Sequence, residues 1–176
     1  MEQQDIRQSI LWQLDDINDV EKLCQVDQLF KNLCSRKEFW MHWYNIKNIK
    51  LINSFNTPEE WINEYRYIEN IKQETVELMN YLNSPEERIL VFTYKADLSN
   101  YHYLLLNNDF DINLYQFLQL YEGDEIQCEI TKDHIYHVPS VITAGSIEEY
   151  KVTLSELYSF LFNVLYEGIA IKKDVY

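Results

Sequence analysis

Residues 57–94 read TPEEWINEYRYIENIKQETVELMNYLNSPEERILVFTY, and within them the spacing of apolar residues changes from helical to strand-like. Thr57-Pro58-Glu59-Glu60 is a helix start with a reason at each position. Thr can cap the free N–H groups, Pro loses nothing at the first helical residue, and Glu three places after the cap can bond back to it. Trp61, Tyr65, Ile68, Ile71, Thr75, Leu78, Met79 and Leu82 then form one stripe, with Glu64, Glu69, Glu74 and Glu77 largely off it. A long helix to about residue 82 is expected. Asn83-Ser84-Pro85-Glu86-Glu87 repeats the start signal, yet Arg88–Tyr94 is β-branched and aromatic enough to be a strand. Both readings stand at this point, and the expected domain boundary falls here.

Towards the C-terminus, Tyr101–Leu106 and Asn113–Tyr121 have helical spacing. Glu125–Ile130 and His134–Val138 alternate as strands around a turn at Thr131-Lys132-Asp133, and Glu149–Val152 is a third short strand candidate. Thr153-Leu154-Ser155-Glu156 is another capping box. The helix it opens turns Leu157, Phe160, Leu161, Val164 and Leu165 inward and stops at Gly168.

Towards the N-terminus, Ile6, Ile10, Leu11 and Leu14 recur at helical spacing, Asp15–Asp19 interrupts, and Val20, Leu23, Cys24 and Val26 resume. Leu29, Phe30, Leu33, Phe39 and Trp40 make a third apolar set. Helices this short do not persist alone, so they must pack on one another or on a partner. The expected class is α+β: an all-helical N-terminal module with a long helix, then a small C-terminal α+β module. The expected divisions are 1–43, 44–83 and 84–176.

Composition agrees with a folded, helix-rich chain. The 176 residues are 47% hydrophobic and 15% aromatic, too much apolar surface for a disordered protein, and only three Gly and three Pro are available for turns. The net charge of −14 repels phosphate backbones, which argues against nucleic acid as a partner. Lys31, Arg36, Lys37, Lys47 and Lys50 are too loosely spaced to overturn that, and read as a solvated mixed surface. No stretch approaches the ~20 apolar residues of a membrane span, and the opening MEQQDIRQ has neither the basic nor the apolar part of a secretory signal. An intracellular protein without a membrane role is expected. Three cysteines, Cys24, Cys34 and Cys128, with no C-x-x-C spacing, suit a reducing compartment better than a disulfide framework.

No catalytic constellation stands out. Phosphate-binding glycine loops, a nucleophile elbow and H-E-x-x-H are all missing from the sequence. His134 and His137, on a strand, would face opposite sides, which is wrong for one metal ion. Glu122-Gly123-Asp124-Glu125 lacks the alternating carboxylates of a calcium loop, and Cys128 has no basic neighbour in sequence to stabilise a thiolate. The expectation is a non-enzyme with no cofactor and no metal.

The order of residues from Asp5 to Trp40 does carry a pattern: Asp5-Ile6, Ile10-Leu11-x-x-Leu14-Asp15, Asp19-Val20, Val26-x-x-x-Phe30, Leu33, Phe39-Trp40. It resembles an F-box, whose pattern runs from an acidic-Ile opening through Leu-Asp, Asp-Leu and Val-x-x-x-Trp or Phe to a closing Leu-Trp. The run from Leu23 to Cys34 is similar to the divergent F-box-like proteins of large DNA viruses of amoebae. Abundant Asn, Ile, Lys and Tyr, the residues of A+T-rich codons, fit such a source. Glu2-Gln3 stands where the family has Leu-Pro, Arg7 where an aliphatic is usual, and Arg36 where Asp is frequent.

The resemblance implies tethering rather than catalysis. The N-terminal helices would dock a Skp-type adaptor of a cullin ubiquitin ligase, and the C-terminal part would recruit an unknown protein substrate, in the host cytoplasm if the source is viral. The interface residues it implies are Ile6, Ile10, Leu11, Leu14, Val20, Val26 and Phe30, with Trp40 as structural anchor. The alternative is a structural or virion scaffold protein that keeps a degenerate F-box only for packing.

Overall fold

The computed structural model describes residues 3–47, 49, 54–95, 125–139 and 148–175, and the expected helices at 101–106 and 113–121 lie outside them. The chain forms two compact units, Met1–Glu69 and Asn70–Tyr176. The class is α+β.

The first unit is helical. It contains α1 (Gln3–Trp12), α2 (Ile17–Val26), α3 (Gln28–Cys34), α4 (Lys37–Ile46) and the first half of α5 (Pro58–Leu82). Asp16 accepts a hydrogen bond from the Asn18 amide at 2.8 Å and caps α2. Asp27 accepts from the Leu29 and Phe30 amides, both at 2.9 Å, and caps α3. The acidic run that reads as an interruption is therefore the start of α2, because a carboxylate can satisfy N–H groups that a first turn leaves open. The box at Thr57 forms as written: Glu60 accepts from the Thr57 amide at 3.1 Å, and the Glu60 amide donates to Thr57 Oγ1 at 3.2 Å.

The interior of this unit is largely aromatic. On α4, Phe39, Trp40, Trp43 and Tyr44 face inward at helical spacing, and α5 presents Trp61 and Ile62 to the same core. Trp43 meets Tyr65 edge-on at 4.8 Å between centroids, and the Tyr44 hydroxyl donates to the Trp61 carbonyl. The Trp40 indole N–H donates to the Cys34 carbonyl at 2.6 Å, which ties α4 to the end of α3. Arg66 of α5 bonds Asn18 and Glu21, each at 2.7 Å.

The second unit contains the remainder of α5, β1 (Arg88–Lys95), β2 (Glu125–Ile130), β3 (His134–Pro139), β4 (Glu148–Lys151), α6 (Leu154–Tyr166) and β5 (Lys172–Val175). The strands form one antiparallel sheet in the order β4-β3-β2-β1-β5. Its register places Leu90 opposite Ile130, Phe92 opposite Cys128, and Ile130 opposite Ile135. Those five side chains share one face and one core with Ile71, Leu78 and Leu82 of α5 and with Leu157, Phe160, Leu161, Val164 and Leu165 of α6. Thr75, fully buried in the α5 stripe, satisfies its hydroxyl by donating to the Ile71 carbonyl at 2.7 Å. Thr153 and Glu156 complete the second capping box, and Gly168 ends the segment at φ 74°, a backbone state that side chains disfavour.

Two expectations need correction, one open reading is closed, and one strand was not foreseen. The units part at Glu69/Asn70, inside α5, and not at residue 83. The reason is that Trp61 and Ile62 belong to the aromatic core, while Ile71, Leu78 and Leu82 belong to the core of the sheet. Asn83–Glu87 starts no helix, because Arg88–Lys95 is drawn into the sheet between β2 and β5. The C-terminal strand β5, Lys-Lys-Asp-Val, carries too few apolar residues to be seen by alternation. Finally, Cys24 and Cys34 are joined in a disulfide with their Cα atoms 5.8 Å apart, because the α2–α3 turn brings two inward positions together that lie ten residues apart in the chain.

Candidate docking surface

Helix α1 splits its apolar residues between two sides. Ile6 and Ile10, one turn apart, are 47% and 44% exposed, whereas Leu11 is fully buried. Leu14, in the turn between α1 and α2, is half-buried. On α2, Val20 is fully buried and Val26, the last helical residue, is 67% exposed. Phe30 on α3 is buried. Of the seven residues expected to face an adaptor, Ile6, Ile10, Val26 and part of Leu14 are thus at the surface. Leu11, Val20 and Phe30 are corrected to core residues, since helices this short need them to hold the unit together.

Trp40 is fully buried, in edge contact with Phe39 at 5.0 Å and stacked on Trp61 at 6.3 Å. Among the described residues of the same unit, four exposed hydrophobic residues were outside the expected set: Tyr67 on α5, Leu29 on α3, and Met41 and Ile46 on α4. The signal for the last two was present in the α4 sequence, because its apolar residues occupy more of the helix circumference than one buried face can hold.

The polar surroundings are set by local pairs. Lys47 lies 2.6 Å from Asp15, whose carboxyl it holds below the ordinary value by hydrogen bond and charge, and its Nζ sits 5.5 Å from the Trp43 ring centre. Lys22 pairs with Asp19 at 3.0 Å and is raised by it, chiefly through the hydrogen bond. Burial, and then the charges of Glu69, Asp15 and Asp16, push the Tyr65 phenol up.

In the second unit the expected histidine pair lies on β3, where His134 bonds Asp133 at 3.0 Å and lowers its carboxyl. Cys128 lies outside the disulfide and is fully buried in β2. Glu122-Gly123-Asp124 lies outside the described residues. A cleft of about 560 Å³ is lined by Pro85, Glu86, Arg88, Lys132, Asp133 and Tyr136 among others, with carboxylates and cations intermixed. Among the described residues, no group of three or more His, Cys, Asp or Glu is arranged to hold a metal ion, and no helix is long and apolar enough to cross a membrane.

The chain matches no protein-family model, no curated protein and no solved structure.

Proposed function

We propose that the helical unit is an F-box-type docking module that binds a Skp-type adaptor, and that the sheet unit recruits a protein substrate to the resulting ubiquitin ligase. The observation that carries this reading is the division of one apolar set. Leu11, Val20 and Phe30 complete the fold, while Ile6, Ile10 and Val26 stay in water. Burying an exposed aliphatic side chain against a partner gains roughly 1.5–3 kcal/mol, so each of the three that a partner covers strengthens the contact. The activity is proximity: an adaptor bound by one unit and a substrate bound by the other meet the transfer enzyme at high effective concentration. Nucleic acid and membrane have no part in this reading, for which the chain's net charge of −14 is the support.

The alternative is a scaffold that keeps the helices for packing only, and the Trp40–Trp61 stack favours it to the extent that the module is cemented to α5. Size-exclusion chromatography of the chain mixed with a Skp-type adaptor separates the two. Co-elution that is lost in the Ile10→Asp/Val26→Asp variant supports docking. Separate elution of the wild type sinks it and leaves the scaffold.

A further inference from the structure

We propose that Cys24 and Cys34 are a reversible redox pair that locks the α2–α3 hairpin, so that oxidation state sets the order of the surface around Val26. The bond joins two helices of ten and seven residues, each too short to persist by itself. Between the cysteines lie Val26, the most exposed apolar residue among the described residues of the unit, the capping Asp27 and the exposed Leu29. Any loosening of the hairpin therefore acts directly on this patch.

Three features make the pair a switch rather than a permanent staple. The loop it closes is short, and the stabilisation from closing a loop grows with its length, so this bond stabilises the fold less than one closing a long loop would. The cysteines themselves are buried, at 7% and 1% exposure, but the residues that follow each of them, Gln25 and Val26, and Ser35 and Arg36, are exposed. Local opening of such short helices brings the sulfurs to solvent at a lower cost than global unfolding. The remaining thiol, Cys128, is fully buried in the sheet of the second unit and offers no competing partner.

The exchange balances with glutathione disulfide as oxidant. A thiolate of Cys24 or Cys34 attacks one glutathione sulfur, the S–S bond of glutathione breaks, and one glutathione thiolate leaves. The second cysteine thiolate then attacks the protein sulfur of the mixed disulfide and expels the other glutathione thiolate. The protein gives up two electrons and two protons, and glutathione disulfide becomes two glutathione thiols. Excess reduced glutathione drives the reverse.

The consequence for docking rests on the function proposed above, whereas the redox pair itself does not, and the experiment keeps them apart. The full chain is equilibrated at graded ratios of reduced to oxidised glutathione, alkylated, and read by mass, with hydrogen exchange measured at both ends of the series. We expect the bonded and dithiol forms to interconvert within the series. Amides of residues 17–34 should exchange roughly tenfold faster or more in the dithiol form, and amides of β1 and β2 should not change. A bond that survives every ratio, one that never forms, or equal exchange in both forms overturns the proposal. Cys24→Ser should reproduce the dithiol pattern and Cys128→Ser should titrate as wild type; the wild-type series decides the matter even if the first variant misfolds. A normal redox series with no adaptor binding in either form supports the pair and removes only its docking consequence.

Discussion

The indole rings of Trp40 and Trp61 lie 6.3 Å apart and within 5° of parallel, so the last aromatic of the F-box-like pattern and the first of the long helix share one stack. Both are buried, and the Trp40 N–H is satisfied by the Cys34 carbonyl. This single contact couples α3, α4 and the start of α5.

Trp40→Ala should therefore lose about 3–5 kcal/mol, the range for emptying an aromatic site in a core. Trp40→Phe should lose less, because it keeps the ring and gives up only the stack area and the N–H bond. Urea unfolding followed by circular dichroism measures both. A loss below about 1 kcal/mol for the alanine variant would mean that the core closes over the gap.

Tyr81 ties α5 to β5 within the second unit. Its hydroxyl donates to the Asp174 carbonyl at 2.7 Å, and its ring lies 4.8 Å from Arg88 Cζ and 5.5 Å from Lys173 Nζ. Tyr81→Phe removes the hydrogen bond alone and should cost about 1 kcal/mol. Tyr81→Ala also removes both cation contacts and should cost more. Thermal unfolding of the three proteins ranks them, and equal stability of Phe and Ala variants would show that the ring contributes nothing.

Glu60 gives a pH test of the helix start. Its carboxylate accepts from the Asn56 and Thr57 amides at 2.8 and 3.1 Å, and these bonds, the Asn56 bond first, hold its pKa below the ordinary glutamate value. Because the folded pKa lies below the unfolded one, its stabilisation is fully present above the unfolded value and fades as pH falls through the folded value. Glu60→Gln can still accept from the amides but does not titrate. The wild type should exceed it slightly in melting temperature at neutral pH, and the difference should shrink as the solution is acidified. A difference that stays constant from neutral pH to pH 3 contradicts the assignment.

The parts of the fold legible in the sequence are those fixed by local bonds. Thr57 with Glu60 and Thr153 with Glu156 mark two helix starts because both members of each box lie within four residues. Alternation exposed β2 and β3 because one face of the sheet is buried and the other is not. What escaped depends on distant partners. Ser84-Pro85-Glu86-Glu87 has the local chemistry of a helix start, but the strand after it is claimed by β2 and β5. The Cys24–Cys34 bond follows from the α2–α3 turn and has no spacing rule to announce it. In the docking set, spacing alone could not tell Ile10 from Leu11, which are adjacent in the chain and fall on opposite sides of the packing boundary.

The surface pair Ile10 and Val26 should govern affinity without governing the fold. Ile10→Asp/Val26→Asp places both charges in water in the free chain, so its unfolding midpoint should stay near that of the wild type. In a complex the same charges would be buried without partners, and binding should be lost. Under the proposed docking, replacing Glu2-Gln3 by Leu-Pro should raise affinity for the adaptor, because F-boxes, which the N-terminal pattern resembles, use those positions in the contact. Calorimetric titration compares the three proteins.

The central claim is that the exposed apolar residues of α1 and of the α2–α3 turn are covered by an adaptor. Hydrogen–deuterium exchange of the full chain, with and without a saturating Skp-type adaptor, tests it most directly. The account predicts slowed exchange confined to residues 3–34, strongest around Ile6, Ile10 and Val26, with β1, β2 and α6 unchanged. Identical exchange across residues 3–34 in the presence and absence of the adaptor would contradict it.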